Sequence, residues 1–113
     1  EQTRDFTYVE NVVQANQLAA LTKSTESLNT VYNIAYGEST SLNLVIKLLK
    51  DQLSRFDKQI ENVEVIYGQN RIGDIKHSLA SIKKAKIFLN YQPQYSFTQG
   101  LNDVISWYWE NLK

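Results

Sequence analysis

The alternation of apolar and polar residues along the chain predicts four helices and two short strands. From Val9 to about Leu21, Val12, Val13, Asn16, Ala19 and Ala20 recur at helical spacing, and the small side chains among them suit close packing. Leu42, Val45, Ile46, Leu49, Leu53 and Phe56 form a second apolar stripe, with Lys47 and Lys50 on other faces and Ser39 to Ser41 available as an amino-terminal cap. A shorter helix is predicted from Ser81, acting as its cap, to about Leu89. Asn90-Tyr91-Gln92-Pro93 closes it, because proline disfavours helical geometry in the residue before it. Ser96 and Gln99 have the spacing of a capping box, and Phe97, Leu101, Val104, Ile105, Tyr108 and Leu112 then line one face of a terminal helix. Strand character is confined to Thr30-Val31-Tyr32-Asn33-Ile34-Ala35, which runs into Gly37, and to Val63-Glu64-Val65-Ile66-Tyr67, which stops at Gly68 before a polar loop through Asp74. The expected fold is therefore mixed α and β, with too little sheet to cover every helical face, which implies packing against something further.

Composition narrows the function classes. The chain has 113 residues, 42% of them apolar and 21% charged, as in an ordinary globular domain with one core. No repeat, low-complexity run or linker divides it, so residues 1–113 are expected to form a single domain. Twelve basic residues balance twelve acidic ones, so no net field draws it to nucleic acid or to an anionic membrane, and any anion site must be local. Cysteine is absent and His77 is the only histidine, which argues against a zinc site or a Ser/His/Asp triad. No apolar run approaches the roughly 20 residues of a membrane span, and a cytoplasmic location is expected. Methionine is also absent, and patterned sequence begins within the first few residues, so the reading places the natural start upstream.

The four glycines, at 37, 68, 73 and 100, make neither a Gly-x-Gly-x-x-Gly fingerprint nor a P-loop, and none of the seven tyrosines has a lysine four positions later. Catalytic chemistry is thus expected elsewhere. Three stretches stand out instead: Arg4-Asp5-Phe6-Thr7-Tyr8-Val9-Glu10-Asn11-Val12, Val31-Tyr32-Asn33-Ile34-Ala35-Tyr36-Gly37, and Arg71-Ile72-Gly73-Asp74. Their order and spacing, followed by Leu89-Asn90-Tyr91-Gln92-Pro93 and Gly100-Leu101, resemble the carboxy-terminal, substrate-binding part of extended short-chain dehydrogenase/reductase enzymes. The resemblance covers essentially the whole chain and is nearest to bacterial UDP-N-acetylglucosamine 4-epimerases.

That resemblance implies a division of labour. An amino-terminal Rossmann domain, missing here, would hold NAD and the catalytic Tyr-x-x-x-Lys, and this chain would bind no cofactor itself and be inactive alone. It would hold the UDP-sugar substrate while the 4-keto intermediate turns over between hydride removal and return. By the family pattern Arg4 and Arg71 contact the diphosphate, where a guanidinium fork suits phosphate oxygens. Asp74 accepts hydrogen bonds from nucleotide hydroxyls, and Gly73 allows the tight turn between Arg71 and Asp74. Ser78 lies beside the C2 substituent of the sugar, where a small side chain leaves room for an acetamido group. The implied setting is surface polysaccharide biosynthesis, and a homodimer is a compatible assembly for the parent enzyme.

Each assignment has a plainer alternative. Arg4 could be an ion pair with Asp5, and Arg71-Ile72-Gly73-Asp74 a polar loop capped by its aspartate. His77 reads as structural, Lys83, Lys84 and Lys86 as a solvated helix face, and Trp107, Tyr108 and Trp109 as packing residues. At the level of activity, a 4,6-dehydratase or decarboxylase of the same extended family, or a free-standing interaction module, remains open.

Overall fold

The computed structural model describes residues 1–69 and 71–112. Its organising element is very short: Thr3–Arg4 forms strand β1, which pairs antiparallel with strand β2, Thr40–Ser41, so that Thr3 faces Ser41 and Arg4 faces Thr40. On its other edge β1 runs parallel to the segment around His77, with the Thr3 amide donating to the Lys76 carbonyl at 3.0 Å and the Ser78 amide donating to the Thr3 carbonyl at 3.2 Å. Three segments distant in sequence thus make a small platform.

Four helices make up the rest of the described regular structure with two short 3₁₀ turns: α1, Val9–Leu21; α2, Leu42–Leu53; α3, Lys83–Leu89; and α4, Phe97–Asn111. Helix α2 starts where β2 ends, because the Ser41 hydroxyl accepts from the Leu44 amide, a cap contributing about 1 kcal/mol. The capping box expected for α4 forms in full: Gln99 N donates to Ser96 Oγ at 3.3 Å, and Ser96 N donates to Gln99 Oε1 at 2.9 Å. Single 3₁₀ turns occupy Thr25–Ser27 and Lys58–Asn62.

Both predicted strands fail to form among the described residues, for the same reason. Strand propensity is realised only against a neighbouring strand, and here the carbonyls go to side chains. Val31 O and Val63 O accept from Lys84 Nζ at 2.9 Å and Lys50 Nζ at 2.8 Å, and Ala35 O accepts from the Tyr91 hydroxyl at 2.8 Å. Lys84 also donates to Thr30 Oγ1 and lies over the Tyr32 ring, so it is a structural clamp and not merely part of a solvated face. Helix α3 begins two residues after Ser81, with Ile82 at its cap position and no side-chain cap. Its end is set by Asn90, which adopts the left-handed conformation at φ 53°, ahead of Pro93.

The core lies between α1, α3 and the extended 32–35 segment. Ala15, Ala35, Ile82, Ala85, Leu89 and Tyr91 are buried together, and the small residues let the elements approach. Asn11, 1% exposed, clamps α1 to the chain after Pro93: its Nδ2 donates to Tyr95 O at 2.7 Å while its Oδ1 accepts from Gln94 N at 2.9 Å and Tyr95 N at 3.1 Å. Gly100 of α4 comes so close to Tyr8 that a Cβ there would sit 2.5 Å from the ring. Helices α2 and α4 pack separately, with Phe56 stacked on Trp109 at 5.3 Å. Trp109 is a packing residue as expected, whereas Trp107 and Tyr108 lie largely exposed.

The α1 stripe read from the sequence is not what α1 buries: Val12, Val13, Ala19 and Ala20 are exposed, and Asn11 and Ala15 face inward. The molecule is a flattened slab of 54 × 35 × 19 Å with a radius of gyration of 17.3 Å, against about 13 Å for a compact domain of this length. None of the described helices is long and apolar enough to cross a membrane.

Candidate functional site

The alternation of side chains along a strand sorts the residues around β1 into two sets. On one side stand Gln2 and Arg4, and both reach the same carboxylate: Arg4 Nη2 lies 3.1 Å from Asp74 Oδ1, and Gln2 Nε2 donates to Asp74 Oδ2 at 2.6 Å. On the other stand Thr3, whose hydroxyl lies 3.0 Å from His77 Nδ1, and Asp5. The Asp5 carboxylate accepts from the backbone amides of Tyr36, Gly37 and Ala80, at 3.1, 3.0 and 3.4 Å. Asp5 is therefore not the partner of Arg4; it ties the platform to two distant segments, and the ion pair of Arg4 is with Asp74.

Arg4 is held further by its Nη1, which donates to the Thr3 carbonyl at 2.8 Å. This fixes the guanidinium at the platform edge, with its side chain 29% exposed and that of Asp74 33%. At such exposure solvent screens the pair, and its contribution to stability is modest. Asp74 itself is delivered by a turn in which its amide donates to the Arg71 carbonyl at 3.2 Å, with Gly73 at φ 83°. That conformation is strained for any residue with a Cβ, so the turn joining Arg71 and Asp74 depends on glycine.

Gln2, Arg71 and Asp74 line one cleft of about 490 Å³ together with Glu1, Leu42, Asn43, Ile46, Ile66, Tyr67, Gly68 and Gln69. Its floor is mixed: apolar surface from Leu42 and Ile46 of α2, and polar groups from Asn43 and Tyr67, whose hydroxyl is 3.4 Å from Asn43 Oδ1. An apolar wall with a few convergent polar groups and an exposed arginine suits a ligand that is flat at one end and anionic at the other. The structure thus places Arg71 and Asp74 in the cleft lining, and Arg4 next to the cleft through its ion pair with Asp74. Ser78 sits exposed on the adjoining platform strand, outside the residues that line the cleft.

Sequence reasoning did not single out Gln2, Asn43 or Tyr67. A signal for Gln2 was present: it lies two residues before Arg4, and in a strand that places both side chains on one face. Asn43 and Tyr67 carried none, since their meeting depends on the path of the 63–69 segment back along α2.

Comparison with known proteins assigns the fold. The family model for GDP-mannose 4,6 dehydratase matches residues 1–104. The chain belongs to this family. Among solved structures, this member superposes on the UDP-glucose 4-epimerase of Thermotoga maritima, determined with UDP-glucose, with a TM-score of 0.81 and 34% identity over 100% of the chain and 33% of that protein. It superposes on MoeE5, determined with UDP-glucuronic acid and NAD, with a TM-score of 0.75 and 27% identity over 96% of the chain and 34% of that protein. A curated relative, the dTDP-glucose 4,6-dehydratase of Haemophilus influenzae, is 35% identical over 96% of the chain and 33% of its own length. The family thus spans epimerases and dehydratases of nucleotide sugars, and the chain spans about a third of the length of the relatives it matches.

Proposed function

We propose that this chain is the nucleotide-sugar-binding carboxy-terminal domain of an NAD-dependent UDP-N-acetylglucosamine 4-epimerase. The observation that supports the reading is that Arg71 and Asp74 line one cleft and that Arg4, 70 positions before Asp74, pairs with that carboxylate. Arg71 in the lining, with Arg4 beside Asp74, suits a diphosphate, and charge-assisted hydrogen bonds of about 1.5–3 kcal/mol each would anchor it. Such remote binding energy is what an epimerase needs, since the hexose must turn while the nucleotide stays fixed. Ser78 is small and exposed on the platform segment next to the cleft, and this reading gives it the neighbourhood of the C2 acetamido group.

NAD would supply hydride removal and return at C4 of the sugar, held by a Rossmann domain preceding this chain. On this reading the chain positions the substrate, and hydride and proton transfer belong to the preceding domain. Supporting the existence of such a partner are the slab shape and the exposed apolar residues Val9, Val12 and Val13 at helical spacing on α1. A polysaccharide-building role in the cytoplasm follows from the same reading.

The test uses the full-length protein with UDP-N-acetylglucosamine and UDP-N-acetylgalactosamine. Interconversion supports the reading, and Arg71→Ala should weaken UDP binding at least tenfold; unchanged UDP affinity removes the anchor assignment. A second reading, a 4,6-dehydratase, is favoured by the likeness to the Haemophilus influenzae dehydratase. Accumulation of a 4-keto-6-deoxy product with loss of water would establish it in place of epimerisation.

A further inference from the structure

Lys76 is a basic residue of the platform with no part in the site as described so far. Its root is fixed: its carbonyl accepts from the Thr3 amide at 3.0 Å and lies 3.5 Å from Arg4 Nη1. Thr3 pairs with His77 across the parallel edge, and their side chains meet at 3.0 Å, so the alternation that sorts β1 sorts this segment too. His77 falls on the side of Thr3. Lys76 and Ser78 fall on the side of Gln2 and Arg4, facing the cleft.

Beside the cleft lies a smaller recess of about 290 Å³, lined by Glu1, Gln2, Arg71, Asp74 and Lys76. The first four of these also line the larger cleft, so the two spaces adjoin. What completes each differs. The larger has the apolar surface of Leu42, Ile46 and Ile66; the smaller has Lys76 in its place and suits a polar, charged group. Of the charged side chains around the recess, Asp74 is engaged by Arg4 and Gln2, whereas the exposed Lys76 ammonium makes no ion pair among the described residues. Lys76 stands two residues from Ser78 on the same face, about 6.6 Å along an extended chain. In a pyranose, C5, which carries C6, stands across the ring from C2. With the C2 substituent near Ser78, the C6 end of the sugar is therefore the part that Lys76 meets. A hydroxymethyl group there gains little from an ammonium, whereas a carboxylate gains a charge-assisted hydrogen bond.

We propose that Lys76 is a specificity-determining residue that receives a carboxylate at C6 of the sugar, so that the site accepts nucleotide-linked N-acetylhexosaminuronic acids and favours them over the neutral N-acetylhexosamines. This rests on the nucleotide-sugar reading given above and extends it to the class of sugar. Because Lys76 is exposed, solvent screens the pair, and the preference is about three- to fivefold. It falls as salt is added.

Calorimetric titration of the full-length protein with UDP, UDP-N-acetylglucosamine and UDP-N-acetylglucosaminuronic acid tests it, since the two sugars differ only in the oxidation state of C6. The wild type should bind the acid about three- to fivefold tighter than the neutral sugar. Lys76→Gln should bring the two to within about 1.5-fold of each other and leave UDP affinity within about twofold. Lys76→Glu should reverse the preference, and Lys76→Arg should keep it, because the charge is what is read. The side chain is exposed and the platform is tied through the Lys76 backbone, so these variants fold. A wild type that binds both sugars equally, or a preference unmoved in Lys76→Gln, overturns the assignment of Lys76 alone. So does a loss of UDP affinity beyond about fivefold in Lys76→Gln, which would move Lys76 to the diphosphate. No UDP binding by the wild type overturns the nucleotide reading together with it.

Discussion

Replacing Asn11 by leucine would test the account of how α1 is fixed to the rest of the chain. The side chain is 1% exposed and satisfies three backbone groups, Gln94 N, Tyr95 N and Tyr95 O, at 2.9, 3.1 and 2.7 Å. Leucine shares the branching of asparagine at Cγ but is larger and has neither donor nor acceptor, so it removes all three bonds, leaves no room for water and crowds the site. Each buried group left unsatisfied costs about 1–3 kcal/mol, partly offset by the apolar surface that leucine buries. The expected net loss is about 2–5 kcal/mol, a large share of the roughly 5–15 kcal/mol that stabilises a typical domain. Asn11→Ala should lose less, about 2 kcal/mol, because the vacated space can admit a water to the two amides. Urea unfolding followed by far-ultraviolet circular dichroism measures both. If the leucine variant unfolds within about 0.5 kcal/mol of wild type, or proves more stable than the alanine variant, the clamp does not hold this part of the fold.

Three further outcomes follow from described contacts. Gly100→Ala should destabilise by about 1–3 kcal/mol, because the new Cβ would lie 2.5 Å from Tyr8 Cγ and 2.8 Å from its Cβ, a collision with the base of that side chain and not its tip; a melting temperature equal to wild type would show that Tyr8 gives way freely. Burial pushes the Tyr91 hydroxyl above its ordinary value, and the Asp5 carboxylate adds to this. A raised folded-state value means that the stability linked to this proton is intact below the unfolded tyrosine value of about 10 and is lost as pH rises through the folded one. Tyr91→Phe should therefore be less stable at neutral pH, with Ala35 O unpaired, yet show a shallower alkaline loss; an unchanged alkaline slope would exclude Tyr91 as its source. Ser78→Tyr should shift the full-length enzyme toward UDP-hexoses lacking the acetamido group, and equal activity on both sugar types before and after the change would dismiss the role given to Ser78.

The helices were legible because their signals are local. The Ser96 and Gln99 pair and the 42–53 stripe fix α4 and α2 within a few residues of their own ends. The strands were not, because pairing is a property of neighbours: Val31 and Val63 have strand-forming character but meet lysine side chains, while Thr3 and Arg4, with no periodicity to announce them, become the centre of the platform. The stripe on α1 misled for a related reason. Beside Ala15 its inward face carries a polar residue, Asn11, whose burial makes sense only once the backbone groups of Gln94 and Tyr95 are known to face it. Arg4, Arg71 and Asp74 were singled out through family resemblance, whereas the partnership of Arg4 with Asp74 instead of Asp5 required the path of the chain.

The two faces of β1 also divide what mutation can change. Gln2 and Arg4 meet the carboxylate at the cleft, and Thr3 and Asp5 meet the frame, so neighbouring positions in sequence carry separate duties. Substitution at Gln2 or Arg4 disturbs the setting of Asp74 at the cleft and leaves the frame contacts of Asp5 in place. Substitution at Asp5 releases the Tyr36–Gly37 turn and the chain at Ala80 at once. Single changes on one side of a two-residue strand therefore reach the cleft edge, while the ties to the frame on the other side stay in place.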